Sequence, residues 1–207
     1  MLNLSPVLES LAKRRPIFHS EADFQFALAW EIQGFYPDAE LRLEYPITTK
    51  TKERIDILVR YSGCNFPIEL KYATKGLGVS LNHEVYNLKS HDAGEITSYD
   101  FLKDICRLEQ FANTLDDYKA GFAIWITNDP YHWKVPLREN TAGFEFRTYD
   151  GAKKIGIMKW GDGMTNFQGR KNPLILRGEY EIKWRDFSNI GLKNGIFRYS
   201  LISVDLI

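Results

Sequence analysis

Between Arg54 and Tyr72, apolar and charged residues follow each other in a pattern that is typical of a β-hairpin. The segments R-I-D-I-L-V-R and P-I-E-L-K-Y are separated by a short turn that contains glycine and asparagine. Because side chains alternate between the two faces of a strand, the apolar positions predict which side of each strand faces a core. These positions are Ile55, Ile57 and Val59 on the first strand and Ile68, Leu70 and Tyr72 on the second.

Three charged residues, Asp56, Glu69 and Lys71, fall on the opposite faces of the same two strands. In a hairpin that packs against a core, all three side chains can point the same way. Charged groups among buried residues are unfavourable unless they are paired or bound to a metal. The pattern therefore predicts either a functional charged site or an exposed hairpin face that holds salt-bridged Asp, Glu and Lys side chains.

Helical periodicity predicts three helices around this hairpin. Ser5 followed by Pro6 begins a short helix that ends near Arg15. Ser20 begins a second helix, in which Asp23 stands where a capping box usually has Glu. The third helix has the clearest apolar stripe and covers residues 99–115.

The remaining patterns predict strands and loops. Residues 41–46 alternate, and residues 121–127 form a continuous apolar run that predicts a buried strand followed by a turn at 128–130. Residues 75–97 have mixed polarity and predict a long loop or insertion with a short helix. The final third is predicted to be rich in strands, at residues 144–148, 154–160, 174–184 and 196–204, with a glycine-rich link at 161–172.

The composition limits the kinds of protein that this sequence can encode. A chain of 207 residues with 44% hydrophobic residues can form one domain over 1–207. With 27 basic and 27 acidic residues it has no net positive field, so any site for a polyanion must be a local patch. Cys64 and Cys106 are expected to be reduced thiols. The absence of a signal pattern or a long apolar run predicts a cytoplasmic protein with no membrane contact.

The order of predicted elements over residues 20–127 is helix, three strands, helix and strand, with I-D and I-E-L-K on the second and third strands. This order, with an acid in the first helix, resembles the PD-(D/E)XK nuclease superfamily, which includes restriction endonucleases and Holliday-junction resolvases. Ile55 stands where the family name has Pro. The resemblance implies an α/β fold with a restriction endonuclease-like αβββαβ core over 1–130, a mixed sheet flanked by helices, and a strand-rich extension over 131–207.

The resemblance also implies an activity. A protein of this family would be a Mg²⁺-dependent nuclease, with Mn²⁺ as a substitute, that hydrolyses phosphodiester bonds of nucleic acid in defence, repair or recombination, and DNA is the expected substrate. Asp56 and Glu69 would hold the metal together with Glu21, for which Glu31 is the alternative on the same helix. Lys71 would orient the attacking water or help to deprotonate it.

The sequence also offers candidates for substrate contact and for support of the site. The predicted phosphate contacts are Lys50, Lys52, Arg54 and Lys75, with a solvated basic loop as the alternative. The predicted supporting residues are Gln25, Asp104 and Arg107, with an ordinary surface ion pair as the alternative for the last two.

Two other kinds of protein remain open at the level of sequence. The same fold could serve as a non-catalytic module that binds nucleic acid or protein, or the hairpin could be a purely structural exposed face. The resemblance also admits a homodimer, although the sequence contains no legible interface.

Overall fold

The structure is a computed structural model that describes residues 1–47, 53–91, 93–164 and 167–205. The helices in these ranges are α1 (Ser5–Arg14), α2 (Glu21–Phe35), α3 (Gly94–Thr114) and the short α4 (Pro130–Trp133). The strands are β1 (Glu40–Pro46), β2 (Arg54–Tyr61), β3 (Cys64–Tyr72), β4 (Leu77–Leu81), β5 (Glu84–Leu88), β6 (Ala120–Thr127), β7 (Lys153–Met158), β8 (Leu174–Glu181), β9 (Trp184–Asn189) and β10 (Ile196–Asp205).

Within the described ranges, six strands form a central sheet in the order β1-β2-β3-β6-β10-β9. Strands β3 and β6 pair in parallel, and the other neighbours pair antiparallel. The predicted α/β class with a mixed sheet is therefore confirmed. Two further hairpins, β4–β5 and β7–β8, lie outside the central sheet.

The core consists of two apolar clusters. One contains side chains of α1 and α2 together with Ile57, Val59 and Ile68 from the hairpin. The other contains the apolar stripe of α3, with Leu58 and Trp125. Because neighbouring residues of β2 belong to different clusters, the two clusters lie on opposite faces of the sheet, and β6 between them is buried along its whole length.

The first helix begins and ends close to the predicted residues, and the second begins at the predicted Ser20. The Ser20 side chain caps α2 by accepting a hydrogen bond from the backbone N–H of Asp23 at 3.2 Å. The Asp23 carboxylate accepts from the backbone N–H of His19 at 2.8 Å, one residue earlier than in a capping box. The N-terminus of α2, which carries Glu21, is therefore fixed by two side-chain caps.

The predicted β2–β3 hairpin is confirmed, with Ile57 opposite Ile68. Its two-residue turn is Ser62-Gly63, with φ of 51° and 74°, and both central residues of a type I′ turn need such positive values. One predicted face is wrong: Ile55 packs in the α3 cluster and not with Ile57 and Val59. This end of β2 departs from regular pairing, because the Asp56 side chain takes the backbone N–H of Leu70.

Other predictions are corrected by local packing. Residues 75–97 are not a long loop: they contain the β4–β5 hairpin, and α3 begins at Gly94, before the predicted residue 99. Residues 144–148 are not a strand, because Phe144–Phe146 is a 3-10 turn whose Phe146 ring packs against Trp160 at 4.4 Å. The predicted strand 174–184 is divided into β8 and the start of β9. The predicted turn at 128–130 is present, and Asp129 caps α4.

In the described part of the chain, no helix combines the length and apolar character needed to cross a bilayer. The predicted cytoplasmic location and the homodimer stay predictions. The strands of the final third divide between two places: β9 and β10 extend the central sheet beside β6, and β7–β8 packs against α3.

Candidate functional site

Asp56 and Glu69 come from the two neighbouring strands of the β2–β3 hairpin. Glu69 is almost fully buried, with 2% of its surface exposed. The Asp56 carboxylate accepts a hydrogen bond from the backbone N–H of Leu70 at 2.6 Å, which ties the two strands together beside Glu69. Lys71 lines an open cleft of about 330 Å³ together with residues of β2, α3 and the β7–β8 connection. The lining residues are Glu53, Arg54, Lys71, Asp100, Lys103, Asp104, Arg107 and Arg170.

Arg107 of α3 joins the helix to the hairpin. Its Nη1 lies 3.1 Å from Glu69 Oε2 and 3.4 Å from Asp104 Oδ1, and its Nη2 donates to the backbone carbonyl of Arg54. The side chains of Arg107 and Asp104 are only 18% and 14% exposed. The Asp104–Arg107 pair is therefore partly buried and connects directly to the buried Glu69, unlike an isolated surface ion pair.

Glu21, at the start of α2, reaches the other end of the hairpin. Its Oε2 accepts from the backbone N–H of Tyr72 at 2.7 Å and lies 3.9 Å from Lys71 Nζ. Glu31 lies near the opposite end of the helix, where it is buried and pairs with Arg14 of α1 at 2.8 Å. Of the two candidate acids on this helix, Glu21 is the one that contacts the hairpin.

Gln25 connects α2 to two acidic residues. Its Nε2 donates to the backbone carbonyl of Asp56 at 2.7 Å and to Glu44 Oε1 at 2.8 Å. Glu44 was missed by the sequence reasoning. It lies on β1 between Leu43 and Tyr45, which pair with Ile57 and Ile55, and this places it opposite Asp56. Alternation indicated only that Glu44 and Leu43 occupy different faces of β1, and the register with β2 was needed to bring Glu44 to Asp56.

The predicted phosphate contacts have different surroundings. Lys50 and Lys52 lie outside the described residues. Arg54 lines the cleft, and its Nη1 donates to the backbone carbonyl of Glu44 at 2.9 Å. Lys75 is not among the cleft residues: its Nζ lies 3.4 Å from Asp129 Oδ2, in a separate depression beside α4.

Two basic residues of the cleft were not among the predicted contacts. Lys103 lies one helical turn before Arg107 on α3, a spacing that could have suggested a shared face. Arg170 precedes β8 and had no signal in the sequence, because a loop residue is brought to the cleft only by the packing of the whole chain.

Known proteins give no assignment of this cleft, since no family model matches the chain and no curated protein matches it in sequence. The chemistry of the cleft must therefore follow from its own groups.

Three carboxyl groups in or beside the cleft hold their protons more tightly than usual. Burial raises the pKa of Asp56 to about 6, and the nearby Glu21 and Glu44 add to this effect. Burial and the charge of Asp56 raise the pKa of Asp104 to about 7, against the opposing charges of Lys71 and Arg107.

Glu69 and Lys71 are affected in the same direction. Burial, followed by the charges of Asp104 and Asp56, raises the pKa of Glu69 well above its ordinary value. Burial alone would lower the pKa of Lys71, but the surrounding carboxylates, Asp104 first, raise it above its ordinary value. Because burial favours the neutral forms of Asp56, Glu69 and Asp104, a cation bound beside these carboxyl groups would favour their charged forms instead.

The donor set fits a hard divalent cation. Oε1 of Glu69 is buried and has no hydrogen-bond partner among the described residues, so one carboxylate oxygen is available. The described ranges contain no group of three or more His, Cys, Asp or Glu side chains arranged to hold an ion. Mg²⁺ does not require such a group, because it is usually held by one or two carboxylates, with waters and substrate phosphates as the other ligands. Asp56 and Glu69 can supply those two carboxylates.

Proposed function

We propose that this protein is a Mg²⁺-dependent nuclease with a restriction endonuclease-like αβββαβ core, and that it hydrolyses phosphodiester bonds of nucleic acid, with DNA as the expected substrate. The observation that carries the proposal is the position of Asp56, Glu69 and Lys71 on one hairpin, with a buried oxygen of Glu69 that has no hydrogen-bond partner among the described residues. The order of α2, β1, β2, β3, α3 and β6 and the mixed sheet support the proposed core.

The residues at the hairpin have separate roles in this proposal. Asp56 and Glu69 would hold the metal, and Arg107 fixes Glu69 by its hydrogen bond to Oε2, which leaves Oε1 for the ion. Bound Mg²⁺ would lower the pKa of a water and stabilise negative charge on the scissile phosphate. Glu21 lies close to Lys71 and positions its ammonium group. Gln25 fixes the backbone of Asp56 from the side of α2.

The raised pKa of Lys71 supports one of the two roles that the sequence left open. An ammonium group that holds its proton more tightly than usual is a poor general base at neutral pH. Lys71 is therefore proposed to orient the water and to stabilise the charge that develops on the phosphate, while a carboxylate or the substrate accepts the proton.

The test is cleavage of labelled duplex DNA, single-stranded DNA, a four-way junction and RNA in the presence of Mg²⁺ or Mn²⁺. Wild type is expected to cut at least one substrate, and Asp56→Asn, Glu69→Gln and Lys71→Met are expected to lose at least about a hundredfold in rate. Glu181→Gln, a change of an exposed carboxylate on β8, is the control and should cut normally.

Other outcomes identify the alternatives. Metal-independent binding of nucleic acid without cleavage would replace the nuclease by a non-catalytic binding module. Equal cleavage by wild type and Asp56→Asn would remove the hairpin from the catalytic site.

A further inference from the structure

Arg170 belongs to the connection between β7 and β8, far along the chain from the hairpin, but it lines the same cleft as Lys71 and Arg107. Its guanidinium group binds both carboxylate oxygens of Asp100 on α3, with Nε at 2.9 Å and Nη2 at 2.7 Å. Its Nη1 donates to the backbone carbonyl of Gln168. In this arrangement the charge of Arg170 is compensated by Asp100 at the rim of the cleft.

The backbone around Arg170 is held by contacts that do not involve its guanidinium group. Trp160 Nε1 donates to the carbonyl of Arg170 at 2.6 Å, and the Tyr99 hydroxyl donates to the carbonyl of Asn172 at 2.9 Å. The rings of Tyr99 and Trp160 stack on each other, with centroids 5.8 Å apart. The guanidinium group can therefore change partner while the backbone stays against α3.

The Asp100–Arg170 pair is suited to exchange. The two side chains are 26% and 35% exposed, so a bound strand can reach both groups without entering the core. A guanidinium group binds a phosphate through the same two-pronged geometry that it uses with a carboxylate. Arg107, by contrast, pairs with the buried Glu69. If Arg107 moved away, the charge of Glu69 would stay buried without a partner.

We propose that Arg170 exchanges Asp100 for a backbone phosphate of the nucleic acid strand bound in the cleft. The β7–β8 connection is then part of the substrate-binding surface, and Asp100 is a competitor that keeps Arg170 occupied until a strand binds. This inference rests on the proposed function and assigns a substrate contact to the final third of the chain.

The experiment measures binding separately from cleavage. A fluorescein-labelled DNA duplex is titrated by anisotropy with Ca²⁺ in place of Mg²⁺, at several salt concentrations. Arg170→Gln is expected to weaken binding about tenfold and to reduce the slope of log K against log salt by about 0.9, the loss of one phosphate contact. Asp100→Asn is expected to strengthen binding severalfold, because it removes the competitor.

The opposite signs of the two effects separate this role from a structural one. If the ion pair only stabilised the fold, both variants would weaken binding. Arg170→Lys keeps the charge and should retain the slope with reduced affinity. Lys183→Gln removes a charge from a surface pair with Glu181 and should leave the slope unchanged. Circular dichroism checks that each variant is folded.

The outcomes also distinguish this inference from the proposed function. If wild type binds and cuts DNA while Arg170→Gln binds with the same affinity and slope, the role of Arg170 is overturned and the nuclease stands. If wild type binds DNA and Arg170→Gln behaves as expected but no substrate is cut, the contact stands and the nuclease falls. Absence of binding by wild type to all four forms of nucleic acid used in the cleavage test overturns both.

Discussion

The two carboxylate oxygens of Glu69 have different surroundings. Oε2 accepts from Arg107, whereas the buried Oε1 has no hydrogen-bond partner among the described residues. A carboxylate buried in this way is stable in its charged form only while a cation compensates it. At the scale of single residues, Arg107 is therefore the group on which the charged state of Glu69 depends in the metal-free protein.

Replacement of Arg107 by Met is expected to destabilise the metal-free protein by about 3 kcal/mol at pH 8, because Glu69 then has a buried charge without its partner. The double variant Arg107→Met/Glu69→Gln should recover most of this loss, since no buried charge remains. Urea unfolding in EDTA measures both. The loss in the single variant should be smaller at pH 5, where the raised pKa of Glu69 allows it to bind a proton.

A double variant as unstable as Arg107→Met alone would contradict this account. Arg107 would then stabilise the fold through its contacts with Asp104 and Arg54 and not through Glu69.

The sequence predicted the central residues of the cleft better than its borders. Alternation along β2 and β3 placed Asp56, Glu69 and Lys71 because it depends only on neighbouring residues. Glu44 and Arg170 could not be found in the same way. The first depends on the register between β1 and β2, and the second on a loop that packs against α3.

At the scale of elements, the β2–β3 turn is the point that fixes the relative positions of Asp56 and Glu69. Ser62 and Gly63 both have positive φ, and this brings Tyr61 opposite Cys64. A shift of one residue in this turn would move Glu69 and Lys71 to the other face of the sheet. The relative positions of Asp56, Glu69 and Lys71 thus depend on a turn at the opposite end of the hairpin.

Gly63→Ala is expected to lower the free energy of unfolding by about 1 kcal/mol, because an alanine with φ near 74° is strained. Gly34→Ala is the matched control. Gly34 lies in α2 with no atom within 4 Å of an added Cβ, so the same change should stabilise the protein by about 0.5 to 1 kcal/mol. Thermal or urea unfolding of the two variants measures the difference.

Equal effects of the two substitutions would show that the turn does not require its left-handed conformation.

Elements with strong local patterns were predicted, and those shaped by distant packing were not. The hairpin and β6 have long runs of apolar or alternating residues, and α2 has its capping serine. The β4–β5 hairpin was missed because its five-residue strands are half exposed and mix polar with apolar positions. The aromatic residues of Phe144–Phe146 predicted a strand. In the structure the Phe146 ring instead packs against Tyr99 and Trp160 from a 3-10 turn.

At the scale of the whole molecule, an overall neutral chain brings several buried carboxyl groups together in and beside one cleft. The raised pKa values of Asp56, Glu69 and Asp104 mean that the folded protein binds protons there more tightly than the unfolded chain does. Their contribution to stability is fully present below about pH 4 and is lost as pH rises through about 6 for Asp56 and about 7 for Asp104. A metal ion bound by the carboxylates would reverse this loss.

Mn²⁺ is therefore expected to raise the Tm by several degrees at pH 8 and by much less at pH 5.5, where protons compete for the same oxygens. Differential scanning fluorimetry of wild type and Asp56→Asn checks this. The variant should show little shift at either pH and a smaller loss of stability between pH 5.5 and 8 in EDTA. Asp186→Asn, at an exposed aspartate, is the control and should behave as wild type.

A shift of the same size at both pH values, or one that persists in Asp56→Asn, would mean that the ion binds elsewhere.

The pairing of β6 with β3 on one side and β10 on the other has a consequence for biosynthesis. Strand β10 begins at Ile196, about 70 residues after the end of β6, so β6 emerges from the ribosome well before its second neighbour does. During that interval the apolar β6 presents an open edge to other nascent chains, which is the usual setting for aggregation. The protein is thus expected to depend on chaperones during translation, and slow elongation after residue 127 should lower its soluble yield.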